Sequence, residues 1–165
     1  MTENQSSTPE SGEAPPADAD HRERRILVTG AAGMLGSQVL LAVPDDVTVL
    51  GTDMRDAPGV EVHGVDLTDE DQVSALFRDL APLDGVIHTA AYTAVDKAEE
   101  EPDVAQAING DACGVLARAA REAGVPLVVV STDFVFDGTR HEPYDESVAP
   151  NPGSVYGRTK LHGER

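Results

Sequence analysis

At 165 residues the chain has room for one domain with a real core, and not for two. Thirty acidic residues against twelve basic ones give a formal charge of -18, and a surface of that sign repels phosphate backbones and anionic lipid, which argues against nucleic acid and membranes as partners. The single cysteine, Cys113, can form neither an internal disulfide nor a thiolate metal cluster, and suits a reducing cytoplasm.

Residues 1–25 are rich in Pro, Ser, Glu and Ala and lack the apolar stretch of a signal peptide or membrane span, so they are expected to form a disordered acidic tail. They hold six acidic and three basic residues, which leaves 24 against 9 in the remainder. The acidity therefore belongs to the folded part, expected to span 26–165, and an anionic ligand there must be held by local dipoles.

From Arg25 onward β-branched runs alternate with helical patterns. "RILVTG", "VTVLGTD", "VEVHGVD", "DGVIHTA" and "VPLVVVSTD" are predicted strands. Helices are predicted over residues 34–43, 69–80 and 95–123, with a further start near Val155. Thr68, three residues before Asp71, is read as a helix cap, and Gly124 before Pro126 as a helix stop. Cys113 falls in the Ala-rich part of the third helix and is read as packing. Apolar runs without alternation, such as residues 127–130, suit parallel strands covered on both faces. The pattern predicts an α/β fold of Rossmann type, a doubly wound parallel sheet with right-handed crossovers.

"VTGAAGMLGSQ" puts Gly30, Gly33 and Gly36 after the first strand and at the opening of a helix, in the G-x-x-G-x-x-G spacing of a dinucleotide-binding turn. Gly30 permits the tight turn, Gly33 the approach of a pyrophosphate, and Gly36 close helix packing, with the helix N-terminus as the anion seat. Asp53 ends the second strand, 23 residues after Gly30, where a carboxylate binds the adenosine ribose hydroxyls and favours NAD. Asp53 could instead cap a turn, and Arg55 could accommodate the 2′-phosphate of NADP, so both coenzymes stay open. Asp66 and Leu67, after the third strand, could meet adenine's amino group and ring face.

"SVYGRTK" carries Tyr156 and Lys160 one helical turn apart on one face. A phenol's ordinary pKa of about 10 is too high for acid-base work at neutrality, and a neighbouring ammonium draws it down. Lys160 would also reach the nicotinamide ribose. Thr132, at the end of the fifth strand, can direct its hydroxyl toward the same carbonyl.

"HTAAYTAVDKAEEEPDVAQAIN", "STDFVFDGT" and "NPGSVYGRTKLHGE" together resemble the dTDP-4-dehydrorhamnose reductase family, within the extended short-chain dehydrogenase/reductases. The resemblance implies NADPH or NADH as cofactor and a dTDP-4-keto-6-deoxysugar as substrate, whose 4-keto group is reduced on the route to dTDP-rhamnose. It assigns Gly33, Met34 and Leu35 to the pyrophosphate turn, Asp53 to ribose, and Asp66 and Leu67 to adenine. Ala91, Tyr92 and Thr93 would line the nicotinamide half. Thr132 and Asp133 would meet the nucleotide-sugar, Tyr156 would donate the proton with Lys160 as partner, and Asn109 would position the relay.

Family members are described as magnesium-assisted, but no metal ligand carries over, and the acidic run "DKAEEEPD" is read as a solvated face. His88 stands where the family often has asparagine and is read as a packed strand-end residue. The family's later strands and substrate domain have no counterpart before Arg165, so the chain is expected to be a C-terminally incomplete dinucleotide domain, inactive alone, with a homodimer or a complementing C-terminal chain as possible partners. The same resemblance extends to the regulatory subunit of methionine adenosyltransferase, which leaves a non-catalytic dinucleotide-binding module as the alternative.

Overall fold

The computed structural model describes residues 23–165. Five strands, β1 (Arg24–Thr29), β2 (Val47–Asp53), β3 (Val62–His63), β4 (Gly85–His88) and β5 (Leu127–Val129), form one sheet in the order β3-β2-β1-β4-β5. Every neighbouring pair is parallel. This is a Rossmann-type α/β sheet: the chain winds outward from β1 through β2 to β3, then crosses back to β4 and β5. The reversal between β1 and β4 opens a crevice at the carboxyl ends of the strands.

The helices are α1 (Met34–Leu41), α2 (Glu70–Leu80), α3 (Val95–Ala98), α4 (Pro102–Gln106), α5 (Ala112–Ala123) and α6 (Val155–Gly163). Leu27 and Val28, successive residues of β1, are both fully buried, as a strand covered on both faces requires. Leu27 and Val86 of the central strands pack with Val73, Leu76 and Phe77 of α2 and Val115 and Leu116 of α5. Each such side chain contributes roughly 1.5–3 kcal/mol on leaving water.

The departures from expectation have local causes. Strand β1 starts at Arg24, whose guanidinium holds Asp46 at 2.7 Å, so Arg24 and Arg25 belong to the sheet, not the tail. The rest of the expected tail, residues 1–22, lies outside the described residues. Strand β3 is only two residues long and is followed by Gly64 at φ +76, which turns the chain away. The cap of α2 is Asp69, not Thr68: its carboxylate accepts from the amides of Asp71 and Gln72, while Thr68 gives its amide and hydroxyl to Asp66.

The long helix expected over 95–123 is three pieces. Pro102, which has no N–H to donate, opens α4, and a π-helical turn at Ala107–Asp111 joins it to α5. Gly124 ends α5 at φ +70, as anticipated. No helix among the described residues is long and apolar enough to cross a membrane.

Candidate active site

A cavity of about 940 Å³ lies in the crevice at the carboxyl ends of the strands. Its first wall is the glycine turn. Gly30 sits at φ +73, and a Cβ there would lie 2.5 Å from the Ala90 amide nitrogen. A Cβ on Gly36 would lie 2.2 Å from the Gly30 carbonyl, so helix α1 reaches its place only with glycine at that position. Gly33 precedes α1, whose N-terminus has no side-chain cap and no acidic residue in its first turn. An uncapped helix start facing a cavity is a seat for an anion. Met34 and Leu35 line the cavity here, with Met34 almost wholly exposed.

Asp53 lines the next stretch and does two things at once. Its Oδ2 accepts from the Ala32 amide at 3.0 Å and its Oδ1 from the Arg55 amide at 3.0 Å, so it organises the glycine turn as well as facing the cavity. Asp66 and Leu67 follow, with Asp66 Oδ1 bound by the amide and hydroxyl of Thr68.

Ala91 and Thr93 line the far half, but Tyr92 does not. The expectation for Tyr92 is corrected by its packing: its side chain lies against the Ala98, Ala105 and Val155 cluster, and its hydroxyl donates to Glu101 at 2.7 Å. Its backbone is clasped by Asn109, whose Oδ1 accepts from Tyr92 N at 2.8 Å and whose Nδ2 donates to Tyr92 O at 3.1 Å. The same Nδ2 donates to Thr159 Oγ1 at 3.1 Å. Asn109 is 1% exposed and does not line the cavity, so its side chain joins the 91–93 segment to α6 and is not a wall of the site.

Helix α6 carries Tyr156 and Lys160, and both line the cavity. Ser154 caps it through Gly157 N at 3.0 Å, and Glu99 Oε1 accepts from Val155 N at 2.7 Å. Tyr156 is half-buried with its ring edge-on to Phe134, centroids 5.5 Å apart. Lys160 is 4% exposed, and its Nζ donates to the Val130 carbonyl at 2.8 Å. Burial pushes its ammonium below the usual lysine range, opposed by Cys113 and Glu164.

Thr132 and Asp133 are not among the lining residues; Ser131 and Val130 occupy that edge. The Thr132 hydroxyl turns back to accept from Phe134 N at 3.2 Å, capping the 3-10 turn Asp133–Val135, and donates to Asp133 Oδ1 at 3.3 Å. The Thr132 segment nonetheless abuts α6: a Cβ on Gly157 would lie 2.2 Å from the Phe134 carbonyl.

His88 is buried at the end of β4, as expected, with Nδ1 2.6 Å from Thr29 Oγ1 and Nε2 without a hydrogen-bond partner among the described residues. Burial, helped by the Lys160 charge, lowers its pKa to about 4, so the ring is neutral at pH 7. Cys113 is packed as expected, its Sγ donating to the Asn109 carbonyl at 3.2 Å.

Two contributors escaped the sequence reading. Ser131 stands beside Thr132 in the same "ST" pair, and the pair alone gives no sign of which residue faces the cavity. Glu99 belongs to the acidic run read as a solvated face, yet it holds the start of α6, and Glu101 of the same run ties Tyr92 to Lys97. Among the described residues no group of three or more His, Cys, Asp or Glu side chains is placed to hold a metal ion.

The sequence model of the RmlD substrate binding domain matches residues 24–165. The chain belongs to the RmlD family. It is 42% identical over 140 residues to a dTDP-4-dehydrorhamnose reductase of Sinorhizobium fredii, which covers 85% of this chain and 44% of that protein. It is 40% identical over 143 residues to methionine adenosyltransferase 2 subunit beta of Bos taurus, covering 86% of this chain and 42% of that one. The crystal structure of a Bacillus anthracis dTDP-4-dehydrorhamnose reductase in complex with NADP superposes with a TM-score of 0.77 at 37% identity, over 86% of this chain and 48% of that one. The RmlD-family chain thus spans less than half the length of these relatives.

Proposed function

We propose that this chain provides the coenzyme-binding and proton-donating half of an NAD(P)H-dependent reductase that acts on the 4-keto group of a dTDP-4-dehydro-6-deoxyhexose. The observation that carries the reading is one cavity lined at one end by an uncapped helix N-terminus and Asp53, and at the other by Tyr156 and the buried Lys160. The donor set fits a reduced nicotinamide dinucleotide: a glycine turn that a Cβ would obstruct, an anion seat, a ribose acceptor, and apolar cover from Leu35 and Leu67.

A reduced nicotinamide, when bound, supplies the hydride. The chain's own residues do the rest. The α1 amides hold the pyrophosphate, and the Asp53 carboxylate accepts from the adenosine ribose. Lys160, fixed by Val130, keeps a positive charge beside Tyr156, which stabilises the phenolate left when the Tyr156 hydroxyl gives its proton to the substrate oxygen. Thr132 reaches the same oxygen once its hydroxyl leaves the Phe134 amide, and Asp133 beside it meets the sugar. Asn109 is a positioning residue, since it holds the 91–93 wall and the Tyr156 helix in one piece.

A second reading, a dinucleotide-binding regulatory module, draws support from the nearly equal identity to the bovine methionine adenosyltransferase subunit. A chimera in which this chain replaces the matching 140 residues of the Sinorhizobium fredii reductase separates the two. Oxidation of reduced coenzyme in the presence of dTDP-4-dehydrorhamnose is the expected result. Coenzyme binding without turnover would favour the regulatory module.

A further inference from the structure

We infer that Asp137 is a positioning residue for proton donation: its carboxylate clasps the connection between β5 and α6, and so sets the turn after Thr132 against Tyr156. This rests on the reductase reading above. Residues 136–154, between the 3-10 turn Asp133–Val135 and α6, contain neither helix nor strand. A connection of that length keeps one shape only where its own side chains fix it.

Asp137 is where they converge. Its Oδ1 accepts from Thr139 N at 3.0 Å, from Thr139 Oγ1 at 2.8 Å and from the Tyr144 hydroxyl at 3.0 Å. Its Oδ2 accepts from Asn151 Nδ2 at 3.1 Å. The Thr139 amide and hydroxyl, with Asn151 and Tyr144, hold the carboxyl well below the usual carboxylate range. The Tyr144 ring stacks on Phe136 with centroids 4.4 Å apart, and the Arg140 guanidinium lies over its other part, 5.6 Å from the centroid. One carboxylate therefore gathers the start, middle and end of the connection.

The end of the connection leads straight to the site. Asn151, held by Asp137 through its side chain, gives its backbone N–H to the Val135 carbonyl at 2.9 Å, and Ser154 caps α6 three residues later. The 3-10 turn and the first turn of α6 then meet directly: a Cβ on Gly157 would lie 2.2 Å from the Phe134 carbonyl, and the Phe134 ring stands edge-on to Tyr156. Elsewhere α6 is tied to Asn109 through Thr159, to Glu99 through Val155 and to Val130 through Lys160. Asp137 closes the link to the turn that Thr132 caps. In the reductase reading the Thr132 and Tyr156 hydroxyls converge on one substrate oxygen, so their separation decides the rate. Asp137 and Asn151 are both exposed, so unpairing them strands no buried polar atom and costs alignment more than stability.

The test exchanges the two partners. In Asp137→Asn the remaining oxygen still accepts from Thr139 and Tyr144, but an amide N–H then faces the Asn151 amide, donor against donor. Asn151→Asp sets two carboxylates face to face, and the double variant restores one amide to one carboxylate in reverse. In the chimera with the Sinorhizobium fredii reductase, each single variant should lower kcat about tenfold, with KM for dTDP-4-dehydrorhamnose moving less than about threefold. The double variant should recover kcat to within about threefold of the unsubstituted chimera. In the 165-residue chain itself, each variant should bind NADPH within about twofold of the natural chain and melt within about 4 °C of it. Unchanged kcat in Asp137→Asn, no recovery in the double variant, or a fall in melting temperature that accounts for the lost rate overturns the inference. An unsubstituted chimera without turnover overturns the reductase reading on which it rests.

Discussion

The Glu99 carboxylate accepts a 2.7 Å hydrogen bond from the backbone amide of Val155, across 56 residues of sequence. It satisfies a donor that the start of a helix leaves free, and puts a negative charge at the positive end of α6. Glu99→Ala should cost about 1 kcal/mol in urea denaturation, the size of a lost helix cap, and Glu99→Gln, which keeps an acceptor oxygen, should cost less. Equal stability of Glu99→Ala and the natural chain would show that Ser154 alone caps the helix.

Removing the Asn109 side chain leaves Tyr92 N, Tyr92 O and Thr159 Oγ1 without their shared partner. Leaving buried polar groups unpaired costs roughly 1–3 kcal/mol each, so Asn109→Ala is expected to lose on the order of 3 kcal/mol. Thermal denaturation measures it. A loss under about 1 kcal/mol would mean that water replaces the amide.

Gly36→Ala and Gly124→Ala should behave differently. The first puts a Cβ 2.2 Å from the Gly30 carbonyl and displaces the turn that seats the pyrophosphate, so coenzyme-dependent fluorescence should disappear. Gly124 has open space around it but sits at φ +70, so the second should cost about 1 kcal/mol of stability and leave binding intact. The same titration on both variants checks the contrast.

His88 gives a pH signature. Its pKa in the folded chain is about 4, against an ordinary 6.5, because burial and the Lys160 charge disfavour the imidazolium. Between those values the unfolded chain binds the extra proton and the folded chain does not, so stability falls as pH falls from about 6.5 to about 4. The natural chain should lose about 2 kcal/mol between pH 7 and pH 5 that His88→Asn does not lose, read from the difference in their urea midpoints. Parallel pH dependences would place His88 in contact with water.

What could be read from the sequence was whatever depends on near neighbours. The glycine turn, Asp53 at the end of β2 and Tyr156 with Lys160 one turn apart are local spacings, and the parallel character of the sheet follows from strand-helix alternation. What could not be read depends on direction or distance. The sequence places Tyr92 with Ala91 and Thr93 at the site, whereas its ring packs against Ala98, Ala105 and Val155, partners on helices it does not belong to. The sequence points to Thr132 and gives no sign that its hydroxyl is occupied by the backbone of Phe134. Glu99 looked like one charge of a solvated run because its partner is far along the chain. Asp53 carried two readings, ribose acceptor and turn cap, and its contacts show that it caps the turn from a place that also faces the cavity.

The most direct test of the account is the Tyr156→Phe substitution in the chimera with the Sinorhizobium fredii reductase, assayed for turnover and coenzyme affinity together. Loss of a positioned proton donor should lower kcat by on the order of 10²–10⁴ while NADPH affinity stays within about twofold, because only the hydroxyl is removed. Turnover close to that of the unsubstituted chimera would contradict the role given to Tyr156, and with it the reading of this cavity as a reductase site.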